Sequence, residues 1–380
     1  MIYLDNASTT KLNNKVLNTM TKALEEIYGN PSSTHSLGRK AKVAVESARN
    51  SISKILNCKA KEIIFTSGAT EANNAIIFNA VNTLNVERII SSPIEHHSVF
   101  DTIKKIENDN LAEVHWLTIN EKGNFDFDEL EGLLKEDKKT FVSLMHVNNE
   151  IGNITDIEKV GNLCRNYNAV FHSDTVQGIT HLNYDLEKLP VDFICASAHK
   201  YGGPKGVGLI FKRDGVKFSK QIYGGEQERD FRAGTENIHG IIAMQKAIEI
   251  AFSEKEKINN HISNLKKHLI TSLKKEIQGI KFNGLSDNPE ESIPTILNIK
   301  LPLSKPGKMI VFQFDLKGVA ISEGSACSSG GSLGSHVLRE LHSDPANPGS
   351  NIRISFGPEN TLEEVDLFTK ILKEIISTSK

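Results

Sequence analysis

Between residues 62 and 211 short apolar segments alternate with amphipathic helical ones, and no other feature narrows the fold as much. Residues 62–66, 88–91, 114–117, 140–146, 169–172, 193–196 and 208–211 read as strands. Residues 69–81, 100–107, 127–134 and 157–167 read as helices between them. Such alternation predicts a largely parallel sheet covered by helices. In an open sheet of that kind ligands bind at the carboxyl ends of the strands, so chemistry is expected in the residues that follow each one. After Thr235 the texture changes. Residues 238–275 form a long helical stretch whose polar middle, 253–260, marks a crossing between domains. Strands over 295–299, 319–321 and 352–356, with helices over 308–315, 333–341 and 362–376, predict a smaller α+β unit. Thr361 and Glu364 form a capping box at the start of the last helix.

Composition matters here for what it excludes. A chain of 380 residues is too long for one compact core and predicts two or three domains. A net charge of −2 gives no electrostatic case for nucleic acid as a ligand. Residues 1–10 lack the basic start and apolar core of a signal peptide, and no apolar run nears membrane-spanning length. Cys58, Cys164, Cys195 and Cys327 lie far apart without metal-type pairing, which fits a reducing compartment and makes the cytoplasm the expected location. No metal site is predicted.

Candidate chemistry sits where the alternation places it. Lys200 follows the strand 193–196, with the Ser197 hydroxyl and His199 imidazole beside it and a glycine-rich stretch after it. A rigidly held amine among phosphate donors suits the aldehyde cofactor pyridoxal phosphate; a plain surface loop is the other reading. Asp174, after the strand 169–172, could keep a pyridine nitrogen protonated, and Gln177 could bond the phenolic oxygen, or Asp174 could only cap a turn. In residues 66–73, strand, small-residue turn and helix start could cradle an anion on backbone N–H groups and Thr70, or form a helix capped by Ser67 or Thr70. An imidazole of His96 or His97 could stack on a cofactor ring and carry protons. Asn149 follows the strand 140–146 and could bond a cofactor oxygen or a substrate carboxylate, or serve a simple turn. Arg353 starts an apolar strand, where its guanidinium needs either a substrate carboxylate or an internal ion pair. Cys327 stands in a Gly- and Ser-dense loop expected to be mobile, a setting for a thiol nucleophile, whereas the other three cysteines belong to apolar segments.

Together and in this order, these motifs resemble the cysteine desulfurases of the NifS/IscS type, in the class V aminotransferase group of fold-type I pyridoxal phosphate enzymes. The resemblance runs from residues 3–10 and 29–33 through 66–71, 146–152, 174–177, 197–200 and 232–237 to 324–328 and 351–355. It implies a large cofactor-binding domain over 12–252 and a small α+β domain over 253–380 joined by 1–11. Lys200 would hold the cofactor covalently, Asp174 and Gln177 would bind its ring, and His96 would stack on it. Ala69, Thr70, Ser197 and His199 would hold its phosphate, with Thr235 reaching over from a partner subunit. Arg353, assisted by Asn149, would clamp the substrate carboxylate. Cys327 would take sulfur from L-cysteine as a persulfide, leaving alanine. A homodimer and transfer to an iron–sulfur scaffold or sulfur-carrier protein are further implications. Selenocysteine lyases and other class V enzymes share Lys200 and Asp174 but do not need Cys327; a catalytically silent scaffold should have lost one of the three. Departures from the usual pattern, such as Ser329–Gly331 with no Glu-Pro following and Glu226 after Gly224-Gly225, touch loops and acceptor surface but remove no catalytic group.

Overall fold

The computed structural model describes residues 1–303, 309–324, 335–342 and 349–378. Its main sheet has seven strands, in spatial order Ile63–Thr66, Gly208–Lys212, Phe193–Ser197, Val170–Asp174, Thr140–Ser143, Arg88–Ser91 and Glu113–Trp116. Only Gly208–Lys212 runs antiparallel to its neighbours, which makes the sheet mixed but mostly parallel, as expected. Alternate residues feed two separate cores. Ile63, Phe65, Ile194 and Ala196 face one layer of helices, while Ile64, Phe193 and Cys195 face the other. Burial on both faces explains why these strands read as continuous apolar runs.

The C-terminal unit carries an antiparallel sheet of Asn351–Ser355, Ile296–Lys300 and Lys281–Phe282. Ile2–Tyr3 crosses over to pair in parallel with Val319–Ala320, and Ile2 and Leu4 join the core that includes Leu269, Phe314, Ile352 and Phe368. The long helical stretch divides at Glu254 into Ile238–Ser253 and Lys255–Glu276, inside the polar window. The capping box is present: Thr361 Oγ1 accepts from Glu364 N at 3.3 Å and Glu364 Oε2 from Thr361 N at 3.2 Å.

Boundaries differ from the sequence reading in ways that bear on the site. The strand expected over 169–172 runs to Asp174, so that carboxylate is its last residue rather than the start of a loop. Residues 60–62 form a 3-10 turn, so the first strand of the sheet starts at Ile63. Two helices, Asn14–Glu26 and Ser36–Ile55, occupy a region where the pattern assigned no element. Among the described residues no helix is long and apolar enough to cross a membrane, and no His/Cys/Asp/Glu group could hold a metal.

Candidate active site

Asp174 is 5% exposed and fixed from two sides. Its Oδ1 accepts from Val176 N at 3.0 Å, the turn-capping role foreseen as an alternative, and its Oδ2 accepts from Asn73 Nδ2 at 2.8 Å. Asn73 Nδ2 also donates to Ser98 Oγ at 2.8 Å, and Ser98 Oγ lies 2.8 Å from His96 Nδ1. Ser98 N donates to the same Nδ1 at 3.1 Å, so this nitrogen is an acceptor. In a neutral ring the proton then sits on Nε2. Burial keeps the ring neutral by lowering its pKa; Asp174 pulls the other way, and Lys200 adds to the lowering. His96 thus caps the helix His97–Asn108 and stands in the field of both Asp174 and Lys200. His97 is turned to other partners, Asp101 and the ring of His336.

Lys200 follows Phe193–Ser197 in a single 3-10 turn, Ala198–Lys200. Its Nζ donates to Ala7 O at 2.6 Å and Ser8 O at 2.9 Å, and Gln177 Nε2 donates to the same Ala7 O at 3.0 Å. Amine and amide are therefore brought together by the N-terminal segment. That segment is itself tied to the lysine turn, with Thr10 N on His199 O at 2.8 Å and Thr9 Oγ1 3.1 Å from His199 Nδ1. Burial, then Lys200 and Lys205, push the His199 imidazole down to about 4.

The anion cradle corrects one alternative reading. The helix Ala69–Asn82 starts after Gly68 with no side-chain cap, so neither Ser67 nor Thr70 caps it. Its first N–H groups are the kind that hold an anion at a helix N-terminus. A Cβ on Gly68, at φ +157°, would lie 3.6 Å from Ser197 Oγ, and one on Gly208 would lie 2.7 Å from Gly68 Cα. Gly208 therefore has no room for a side chain against the turn, whereas at Gly68 it is the backbone angle, and not Ser197, that favours glycine. Ala69 is half-buried and Thr70 exposed at this end. Thr235 is also exposed; its segment is tied to the cradle helix by Arg232 Nε on Glu71 Oε1 at 3.0 Å.

Across from the sheet, Arg353 is 1% exposed. Its Nη1 donates to Asn149 O at 2.7 Å, and its Nη2 donates to Asp5 Oδ1 at 3.0 Å and Ser8 Oγ at 2.7 Å. The internal ion pair, one of the two partners expected for Arg353, is thus made. Among the described residues, Arg353 Nε and Asn149 Oδ1 are buried without a hydrogen-bond partner. Cys327 lies outside the described residues. Of the other cysteines, Cys164 and Cys195 are buried in the core and Cys58 packs partly buried against it. Burial pushes the Cys58 thiol up to about 12.

These groups fit pyridoxal phosphate: an amine, an oriented buried carboxylate, a neutral imidazole, an uncapped helix start and an orphaned amide oxygen share one region. Asn73, Ser98, Asp5 and Ser8 are structural partners that the sequence reading left without roles. The Asn73 signal was a polar residue on the buried stripe of its helix, alongside Ala72, Ile76 and Ile77.

Comparison with known proteins agrees over the whole chain. The family described as Aminotransferase class-V matches residues 2–368. The cysteine desulfurase IscS of Dictyoglomus turgidum is 38% identical over 377 residues, 99% of this chain and 94% of that protein. The putative cysteine desulfurase IscS 1 of Bacillus subtilis is 36% identical over 99% and 98% of the two chains. Among solved structures, a NifS-like protein superposes with a TM-score of 0.90 at 35% identity, covering 99% of both chains. SspA in complex with cysteine gives 0.80 at 27% identity, covering 95% of this chain and all of that one. The chain belongs to the class-V aminotransferase family. Within that family it belongs with the cysteine desulfurases.

Proposed function

We propose that this chain removes sulfur from L-cysteine, leaving L-alanine, and carries the sulfur as a persulfide on Cys327 to an acceptor protein. The chain is a cysteine desulfurase and its cofactor is pyridoxal 5'-phosphate. The observation that carries the assignment of roles is the joining of Asp174 to His96 through Asn73 and Ser98, in the field of Lys200. When bound, the cofactor supplies an aldehyde for the lysine and a protonated ring that absorbs electron density while the C–S bond breaks.

The chain's own residues do the rest. Lys200 Nζ, held on two carbonyls, would hold the aldehyde and move a proton at the substrate carbon. Asp174 would keep the ring nitrogen protonated, and Gln177 would donate to the phenolic oxygen. His96 would stack on the ring and offer the Nε2 proton that its Nδ1 contacts dictate. Ala69, Thr70, Ser197 and His199 hold the phosphate, with Thr235 supplied by the second subunit of a homodimer. Arg353 orients the substrate carboxylate with its unpartnered Nε, and Asn149 assists. The Cys327 thiolate attacks the substrate sulfur; an S–S bond forms, the C–S bond breaks, and its electron pair leaves on the carbon side, to be protonated later. The full-length likeness to proteins named cysteine desulfurase, and to one solved with cysteine, supports this reading.

Residues 12–252 form the cofactor domain, and 253–380 with 1–11 the small one, a division supported by the pairing of Ile2–Tyr3 with Val319–Ala320. Iron–sulfur scaffolds and sulfur carriers for tRNA thiolation are the acceptor classes, and the spread of unpaired cysteines supports a cytoplasmic setting. Purified holoenzyme given L-cysteine and a thiol reductant is expected to release alanine and sulfide in equal amounts. Turnover of selenocysteine with none of cysteine would make the chain a selenocysteine lyase instead.

A further inference from the structure

The side chains that tie the two ends of segment 325–334 to the site have no part in the chemistry above, and they converge on Glu150. This residue is fully buried. Its Oε2 accepts a hydrogen bond from Ser335 Oγ. A Cβ placed on Gly324 would lie 2.9 Å from the same oxygen and 3.1 Å from Ser335 Cβ. The last described residue before the segment and the first one after it therefore meet at one carboxylate. Ser335 Oγ also accepts from Leu338 N at 3.1 Å, so the hydroxyl is held from both sides.

The backbone of Glu150 is equally fixed. Its N donates to Asn148 Oδ1 at 2.9 Å and its O accepts from Asn298 Nδ2 at 3.0 Å. One residue earlier, Asn149 O receives Arg353 Nη1. The upstream stem reaches the same corner, with Arg353 N donating to Ser322 O at 2.7 Å and Ser322 Oγ donating to Asp5 Oδ1 at 2.8 Å. The downstream stem is also attached to the histidine turn, His336 Nε2 lying 2.8 Å from Glu95 O. Both stems thus end on residues adjoining the proposed substrate and imidazole groups. The Glu150 acceptor thus joins the capping serine of the helix His336–Leu341 to the residue that precedes the segment, a link of geometry rather than of charge.

We propose that Glu150 is a positioning residue for sulfur transfer: it clasps Gly324 to Ser335 against the Asn149–Arg353 corner and so sets where the thiol-bearing segment starts. In sequence Cys327 follows Gly324 by three residues, at most about 11 Å of chain. The clasp governs the approach of the thiol to the substrate sulfur and leaves binding of cysteine untouched. The proposal rests on the roles given above to Cys327 and Arg353.

The test is single-turnover persulfide formation on holoenzyme, read by the mass gain of one sulfur on Cys327. The spectral change on titrating L-cysteine is followed in parallel. Glu150→Ala, Gly324→Ala, whose methyl displaces the carboxylate, and Ser335→Ala should each slow persulfide formation by about 10-fold or more. Half-saturation by cysteine should stay within about twofold, and Glu150→Gln, which keeps an acceptor for Ser335, should recover most of the rate. If Glu150→Ala does not fold, the glycine and serine variants decide. Wild-type rates in the folded variants, or a slowing matched by weakened half-saturation, would overturn the clasp. Cys327→Ala separates the two levels. If it makes alanine at the wild-type rate, the underlying thiol role falls; if it is inactive while the clasp variants run normally, only the clasp does.

Discussion

Asp174 and Ser197 stand on the sheet wall of the site, at the ends of neighbouring paired strands, with His96 reached through Asn73 and Ser98. Arg353 and Asn149 stand on the opposite wall, and there the partners of the guanidinium come from the N-terminal strap, Asp5 and Ser8, some 345 residues away in sequence. The sheet wall inherits its geometry from a backbone ladder and two apolar cores, so one lost side-chain bond leaves the strand ends where they are. The strand of Arg353 and the strap have backbone ladders of their own, but the guanidinium itself is placed by side chains reaching across the chain. Ser8 touches both walls, its carbonyl accepting from Lys200 Nζ and its hydroxyl from Arg353 Nη2. Substitutions on the sheet wall should therefore alter chemistry at fixed geometry, and substitutions on the strap wall should alter substrate orientation.

The largest effect is expected at the point where the two walls meet. Lys200→Ala should lower kcat/KM by about 10³-fold or more through loss of the covalent hold, with the melting temperature little changed. Arg353→Lys removes the fork that reaches Asn149 O, Asp5 and Ser8 at once. Its KM for cysteine should rise roughly 10- to 100-fold, in line with losing charged hydrogen bonds, while kcat falls less. A fall in kcat at unchanged KM would erase the contrast between the walls.

Asn73→Ala sharpens the other side. It takes a donor from Asp174 and should lower kcat by about 10-fold at nearly constant KM. Burial lowers the His96 pKa, so wild-type activity should persist below the ordinary histidine range and fail only as pH drops through the lowered value. Without Asn73 the less neutralised Asp174 pulls harder on the imidazole, and the acid limb of the kcat profile should move to higher pH.

The smallest effect is remote from both walls. Burial, opposed by Asp287, lowers Lys266 to about 7, and its Nζ donates to Ser292 Oγ and Ile293 O. The unfolded chain holds that proton up to an ordinary lysine pKa near 10.5, so it binds more protons than the fold between the two values. Stability contributed by this group therefore rises as pH goes from about 7 to 10.5 and is flat below. Melting temperatures of wild type minus Lys266→Met should climb by a few degrees over that window, with activity at pH 7 unaltered.

The sheet wall was the legible half. Strand order cannot be read from a sequence, but the runs themselves, and the placing of Asp174, Ser197 and Lys200 at their ends, follow from apolar patterning alone. The strap wall was half legible: Arg353 in an apolar strand demanded a partner, and nothing local could name Asp5 across the length of the chain. The helix Asn14–Glu26 went unassigned because it buries only Val16 and Ala23, too few for a period to stand out. Glu150 was given no role, since its contact with Ser335 spans 185 residues.

The most direct measurement counts alanine and protein persulfide together in a single turnover of L-cysteine by wild type and Cys327→Ala. One alanine per persulfide is expected from wild type, and neither from the variant, although the variant should keep the cofactor's visible absorbance and its response to cysteine. Alanine from Cys327→Ala at the wild-type rate would contradict the role assigned to that thiol.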